Sequence, residues 1–328
     1  MDAQGFGETH DVAITVLVDN RADLIVKSTD TVKHFTKQPL LAEHGFAALV
    51  ELKAAGRRIL WDAGATRDTL LENARRMKVD LSTVDMIALS HGHFDHTGAM
   101  TAVLQMREAQ PKRRRWEPGW SEAELAAYAK PRRVPLVAHP AAFRERWTRH
   151  KSGEIQGPTA PPPRQAWEAA GAEIQLSEAP FELGPGCWTT GYVPRQSFEK
   201  LAWSDEERLY RDATGFHRDN TEDDQAIVIN VEGKGLVILS GCAHAGIINT
   251  IRHARAISGV DQVWAILGGF HLVRSEPAEL EQIIAEIKGL APALISPSHC
   301  TGFGPIGRFA AEMPEQFVHG VVGATYLF

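Results

Sequence analysis

Four side chains able to hold a metal ion fall within six positions of the run Ser90-His91-Gly92-His93-Phe94-Asp95-His96-Thr97-Gly98. Zinc, a borderline acid, takes imidazole nitrogen and carboxylate oxygen. Histidines at positions 91 and 93, just past a strand end, can point the same way and share one ion. Asp95 and His96, a turn later, can face a second ion nearby. Ligand-type residues at this density are hard to explain as packing. Two such ions would bring the pKa of a shared water to near neutrality and make hydroxide available at about pH 7. One ion would take the negative charge that develops on the substrate oxygen. Asp95 can hold its metal, accept the proton of the nucleophile and pass it to the leaving group. Esters, lactones, thioesters, β-lactams and phosphodiesters are all open to such chemistry.

The elements around the run must hold it rigidly. A short apolar strand over 86–90 leads straight into it, and a helix over 97–108 follows; Gly92 and Gly98 relieve crowding at the turn. Residues 12–19 read as a strand, and 46–52 and 58–62 as a strand pair. Residues 225–231 and 235–239 read as a hairpin turning at Glu232-Gly233-Lys234. Further strands are expected over 134–139, 173–176, 187–192, 262–267 and 293–297. Helices are expected over 69–77, 123–129, 247–256 and 277–290. The Gly/Pro-rich stretch 153–163 reads as loop, and 195–220 as polar and irregular. Early strand pairs followed by mixed strands and helices suit two sheets with helices outside. No linker divides the chain, so 1–328 reads as one domain, with insertions at about 109–133 and 195–222.

Bulk properties narrow the partners. The 328 residues carry a net charge of −6, too mild to suggest a nucleic-acid surface. The basic run Lys112-Arg113-Arg114-Arg115 reads as a solvated face. Three widely spaced cysteines, Cys187, Cys242 and Cys300, make no disulfide framework and fit a reducing cytosol. The N-terminus lacks the pattern of a signal peptide, and no apolar run is long enough to span a bilayer. The expected partner is a small molecule, with no nucleic acid and no membrane, and a homodimer is compatible with the sequence.

Several polar residues close other apolar runs. His271, in Gly268-Gly269-Phe270-His271, is open to two roles: metal ligand, or a catalytic contact with substrate over the metals, which we favour. His44 and Asn20 are placed to line the same mouth or to satisfy turn backbone groups, the commoner role for an asparagine. His139 reads as structural.

The HxHxDH run after a short strand, with Asp62-Ala63-Gly64 upstream, resembles the metallo-β-lactamase superfamily. Val18-Asp19-Asn20, Glu43-His44-Gly45, Ser240-Gly241-Cys242-Ala243-His244-Ala245-Gly246, Gly268-Gly269-Phe270-His271-Leu272 and Ser298-His299-Cys300-Thr301-Gly302 resemble one branch of it. That branch includes archaeal dihydropterin (ribofuranosylaminobenzene 5′-phosphate) synthases and related metal-dependent hydrolases. The resemblance covers almost the whole chain. It implies an α/β fold, the four-layer αβ/βα sandwich with two mixed β-sheets and helices outside, and two Zn²⁺ per chain, with Mn²⁺ or Fe²⁺ able to take the same donors. Tyr192, in Gly191-Tyr192-Val193-Pro194, stands where many members carry a histidine, and a phenol is not an expected zinc ligand. His244 is therefore our choice to complete the first metal's set with His91 and His93. Many relatives carry a bridging aspartate at the position of Cys242, where a thiolate can bind or bridge zinc or simply be a small buried residue. His299 matches the closing histidine and should join Asp95 and His96. Asp62 should orient a ligating imidazole from behind. Because His93 stands where an HxExDH pattern places a carboxylate for redox iron, zinc hydrolysis is favoured over oxygen chemistry.

The leading expectation is a hydrolase that cleaves a small anionic ester, a phosphodiester or a lactone. The alternative is a pterin-linked transferase, which would need an aromatic pocket; Trp116, Trp120, Trp147, Trp188 and Trp203 are the candidates for it.

Overall fold

The computed structural model describes residues 3–108, 118–129, 133–200 and 207–328. The expected basic face at Lys112 to Arg115, with Trp116 and Trp203, lies outside these residues. The apolar runs form strands, and the most apolar are covered on both faces: Val12–Val18 is buried at every position, as a strand between two layers must be.

Eight strands make the first sheet, in the order Val32–His34, Ala324–Leu327, Val12–Val18, Ala47–Leu52, Arg57–Trp61, Met86–Ala88, Val134–Ala138, Ala172–Leu176. Pairing is antiparallel up to Arg57–Trp61 and parallel beyond it. The second sheet has six strands, in the order Phe181–Gly184, Cys187–Thr189, Ala226–Val231, Gly235–Ser240, Val263–Gly269, Leu294–Ser298. Its last three run parallel. Ile14, Val50, Ile59 and Trp61 of the first sheet meet Ile229, Val237, Leu239 and Leu267 of the second in a shared core. The outer face of the first sheet packs on Leu70, Ala74, Met100, Val103 and Leu104 from helices Arg67–Met77 and Met100–Glu108. Helices Ile247–Ser258, Pro277–Gly289 and Phe303–Glu312 cover the second sheet through Ile248, Ile251, Ile283, Ile287 and Phe309. The result is the expected four-layer αβ/βα sandwich. Among the described residues no helix is long and apolar enough to cross a membrane.

Three expectations need correction. The stretch 153–163 is not all loop, because Ile155–Thr159 is a strand. Residues 195–220 are not irregular throughout, because Glu207–Asp212 and Gly215–Arg218 form a hairpin. With Arg146–Arg149 these strands make a third, antiparallel sheet of four. Strands Arg146–Arg149 and Glu207–Asp212 carry charge on both faces, and every residue of Ile155–Thr159 is exposed, so the usual period-two signal is missing. Finally, the helix expected over 97–108 is two pieces, Phe94–Thr97 and Met100–Glu108. The break at Gly98 and Ala99 frees the first turn to present Asp95 and His96.

Candidate metal centre

Every candidate ligand lies just beyond a strand, at one edge shared by the two sheets. Asn20 follows Val12–Val18, Asp62 follows Arg57–Trp61, and Ser90 and His91 follow Met86–Ala88. On the second sheet Cys242 and His244 follow Gly235–Ser240, His271 follows Val263–Gly269, and His299 follows Leu294–Ser298. The carboxyl ends of parallel strands are where open α/β sheets place their ligands. Backbone strain is concentrated there: Asp62, Ala243, His271 and His299 all have positive φ, between 46° and 59°. Such residues persist only where the surroundings over-determine them. The turn is also crowded, as its glycines suggest. A Cβ on Gly92 would run into the carbonyl of Ala142, and one on Gly98 into that of Ala65.

Two groups of donor atoms converge. In the first, His91 Nε2 lies 2.8 Å from His93 Nδ1 and 3.2 Å from His244 Nε2. In the second, Asp95 Oδ2 lies 3.6 Å from His96 Nε2 and 3.4 Å from His299 Nε2, and His96 Nε2 lies 3.2 Å from Cys242 Sγ. Cys242 is close to the donors of both groups, and also to His271 and Cys300. His91, His96, His244 and His299 are buried.

The hydrogen bonds behind these rings decide where their lone pairs point. Asp62 Oδ2 lies 2.6 Å from Ser90 Oγ and 2.7 Å from His96 Nδ1, and Asp62 Oδ1 accepts from the Ser90 amide at 2.7 Å. A carboxylate only accepts, so Ser90 gives its proton to Asp62 and His96 carries its proton on Nδ1. Ser90 Oγ is then left to accept from His91 Nδ1, 2.9 Å away. Asn20 works in the same way on the other side. Its Oδ1 accepts from the Gly45 amide at 3.3 Å and stands 2.9 Å from His299 Nδ1, so His299 is the donor. Its Nδ2 donates to His44 Nδ1 at 3.2 Å. The outcome is three Nε2 atoms, on His91, His96 and His299, aimed inward. His44 differs, because its proton is driven to Nε2, which faces Asp95 Oδ2 at 3.3 Å. It is a hydrogen-bond donor to Asp95 and not a ligand.

The electrostatics keep His91 and His244 neutral and place on His96 a proton that a cation would displace. Burial and the neighbouring imidazoles hold His91 and His244 well below the usual histidine range. Burial and Arg146 bring His93 down to about 4. Burial works against the charge of Asp95, but His96 and His299 outweigh it and keep the carboxyl far below its ordinary value. Burial would lower His96 too; Asp95 and Asp62 instead lift it to about 9. Without a cation, Asp95 and Asp62 hold a second proton on His96, at the Nε2 that a cation would otherwise occupy. Burial pushes the Cys242 thiol well up. A nitrogen-only group beside a group with nitrogen, carboxylate and sulfur fits a pair of zinc-type ions, with the lone pairs already turned toward them.

A cavity of ≈ 600 Å³ opens over this cluster, a size suited to a small-molecule substrate. His44, His93, Asp95, Cys242, His244, His271 and Cys300 reach it. His271 stands beside His244, ring centroids 4.4 Å apart. Tyr192 does not join it. That side chain is 42% exposed, is not among the residues lining the cavity, and has its amide bonded to the Glu178 carbonyl. His139 is structural as expected, its Nδ1 accepting from the Ala141 amide at a short helix start.

Two contributors escape sequence reading. Arg146 is buried between Asp219 and Asp223, 2.7 Å from each, and Asp223 accepts from the Gly92 amide at 2.7 Å. Arg195 donates to the carbonyls of His244, Asn220 and Thr221 and so ties the His244 loop to the third sheet. Nothing local marks either residue, since apart from the Ala141 carbonyl their partners lie 25 to 77 positions away.

The sequence profile of the Metallo-beta-lactamase superfamily matches residues 42–204. A Methanocaldococcus jannaschii protein, 7,8-dihydropterin-6-methyl-4-(β-D-ribofuranosyl)-aminobenzene-5′-phosphate synthase, is 30% identical over 285 residues, 85% of this chain and 88% of its own. An uncharacterized protein from the same organism, MJ0448, is 28% identical over 94% of this chain and 98% of its own. Among solved structures, Tm1679, a metal-dependent hydrolase of the β-lactamase superfamily, is similar with a TM-score of 0.69 at 21% identity, covering 96% of this chain and 98% of that one.

Proposed function

The chain belongs to the metallo-β-lactamase superfamily, and from that premise we propose that it is a metal-dependent hydrolase that cleaves a small anionic ester, a phosphodiester or a lactone. The observation that carries the reading is the inward aim of the His91, His96 and His299 Nε2 atoms beneath an open cavity. His91, His93 and His244 would hold one ion; Asp95, His96 and His299 the other, with Cys242 between them. Two bound zinc ions would supply an activated water and a Lewis-acid contact for the substrate oxygen; manganese or ferrous iron suits the same donors.

The chain's own residues do the rest. Asp95 stays ionised and can accept a proton at the carboxylate, while the His44 Nε2–H fixes its orientation. His271, on the cavity wall, is placed to donate to a developing oxyanion or to a phosphate oxygen. Arg146 neutralises Asp219 and Asp223 and keeps the Gly92 turn in place. The partner in this reading is a small molecule met in the cytosol, where three unpaired cysteines are at home. No nucleic-acid or membrane partner is assigned, and a homodimer is compatible.

The test is hydrolysis of bis-p-nitrophenyl phosphate and of a simple lactone by zinc-loaded protein. Turnover should fall by at least about 10²-fold in Asp95→Asn. One observation favours a second reading, a pterin-linked transferase: the name of the relative that is 30% identical. Of the tryptophans expected to form a pterin pocket, Trp188 stacks on Phe6 and Trp147 packs against Phe216, and neither lines the cavity, whose one lining tryptophan among the described residues is Trp167. Loaded protein that leaves both esters intact but joins a pterin to an aminobenzene phosphate would establish the transferase instead.

A further inference from the structure

We propose that the third sheet builds a phosphate subsite, centred on Arg208 with Arg144 beside it, for a phosphomonoester that the substrate carries away from the bond being cleaved. The inference rests on the hydrolase reading for the identity of that bond, but not for the subsite itself.

Three guanidinium groups line the cavity that holds the histidine cluster: Arg144, Arg146 and Arg208. Their charges are matched to different degrees. Arg146 is buried between two carboxylates and has no charge to spare. Arg144 pairs with Glu222 at 2.8 Å, with its guanidinium 4.4 Å from the centre of the Tyr210 ring. Arg208 is half-buried, and its hydrogen bond among the described residues goes from Nη1 to the Thr148 hydroxyl, a neutral group, at 2.6 Å. No described carboxylate pairs with it. A guanidinium has five N–H donors in a fixed fork, so most of the Arg208 fork and its full charge remain available to the cavity.

The sheet puts the two arginines on one face. Arg208 and Tyr210 are two apart on strand Glu207–Asp212, so their side chains share a face, and Arg144 lies over Tyr210. Two forks side by side suit a dianionic phosphomonoester better than a single carboxylate. The same cavity also has apolar wall, from exposed Phe94 and from Ala160 to Pro163. One cavity therefore brings together the metal cluster, an apolar surface and the arginines. A substrate matched to it carries a scissile ester, a ring or other apolar body and a phosphomonoester.

The probes are thymidine 3′,5′-bisphosphate and thymidine 5′-monophosphate, titrated calorimetrically into zinc-loaded protein. Alongside them, turnover is measured on the p-nitrophenyl 5′-phosphodiesters of thymidine with and without a 3′-phosphate. The bisphosphate should bind about tenfold or more tightly than the monophosphate, the worth of charge-assisted hydrogen bonds. Arg208→Gln should bring that ratio to within about twofold of one while leaving monophosphate affinity in place. Arg208→Lys, which keeps the charge and loses the fork, should fall between the two and serves where the glutamine variant folds poorly. A ratio near one in the wild type, or one that neither variant changes, overturns the subsite. Neither diester being turned over while the ratio behaves as stated would refute the phosphodiester reading and leave the subsite standing.

Discussion

Asp62→Asn tests the orientation of the second donor group with almost no change in shape. Asp62 is fully buried and sits at φ 59°, a left-handed conformation that asparagine accepts as readily as aspartate. Its Oδ1 accepts from a backbone amide, which cannot reverse, so the new NH₂ must take the Oδ2 position. There it faces the Ser90 hydroxyl and His96 Nδ1. The hydroxyl can rotate to accept. His96 can avoid a donor–donor contact only by moving its proton to Nε2, the atom that faces Asp95 and Cys242. One ligand is then blocked unless the ring pays to flip back. Loss of such a partner typically weakens metal binding by about 10–100-fold, or about 1.4–2.7 kcal/mol. The assay is competition for zinc against a chromophoric chelator, on protein whose circular dichroism and melting match wild type. One step of the two should move most, because Asp62 touches His96 directly and reaches His91 only through Ser90. Equal affinities in the two proteins at both steps would refute the tautomer reasoning.

Arg146→Met leaves Asp219 and Asp223 buried without their cation, which should cost about 3–5 kcal/mol in equilibrium denaturation; a loss below about 1 kcal/mol would show that the carboxylates find other partners. Asp224→Asn should alter the pH dependence of stability in metal-free protein. Burial, only partly offset by the amides of Ala245 and His244 and by Arg195, lifts this carboxyl from 3.8 to about 7. A raised acid contributes stability below about pH 4 that is lost as pH rises through about 7. The asparagine variant, which has no proton to lose, should therefore gain on wild type between those limits and run level above them. A constant difference across that range would mean that Asp224 titrates normally.

What could be read from the sequence follows the range of the interactions. His91, His93, Asp95 and His96 form a local cluster, fixed by one strand and one turn, and their convergence was visible in their spacing. His244 and His299 each come soon after an apolar strand, and the resemblance to the superfamily is what singled them out. Asn20 was the harder case: its side chain serves a turn by accepting from Gly45, as expected, and also holds His299, which is 279 positions away. Arg146 and Asp223 gave no signal, because an ion pair spanning 77 residues has no local period. The third sheet was missed because its strands, such as Glu207–Asp212 and Ile155–Thr159, lack an apolar face. Helix Phe303–Glu312 was missed because Gly304, Pro305 and Gly307 look like loop. Its first turn tolerates the proline, and Phe309 holds it to the second sheet.

The most direct test of the central claim is metal content per chain by plasma mass spectrometry, on wild type and on His244→Ala after equilibration with zinc. The geometry predicts about two zinc ions in the wild type and about one in the variant, since two donors, His91 and His93, would be left for the first ion. Wild-type protein that holds no metal under any reconstitution would contradict the account.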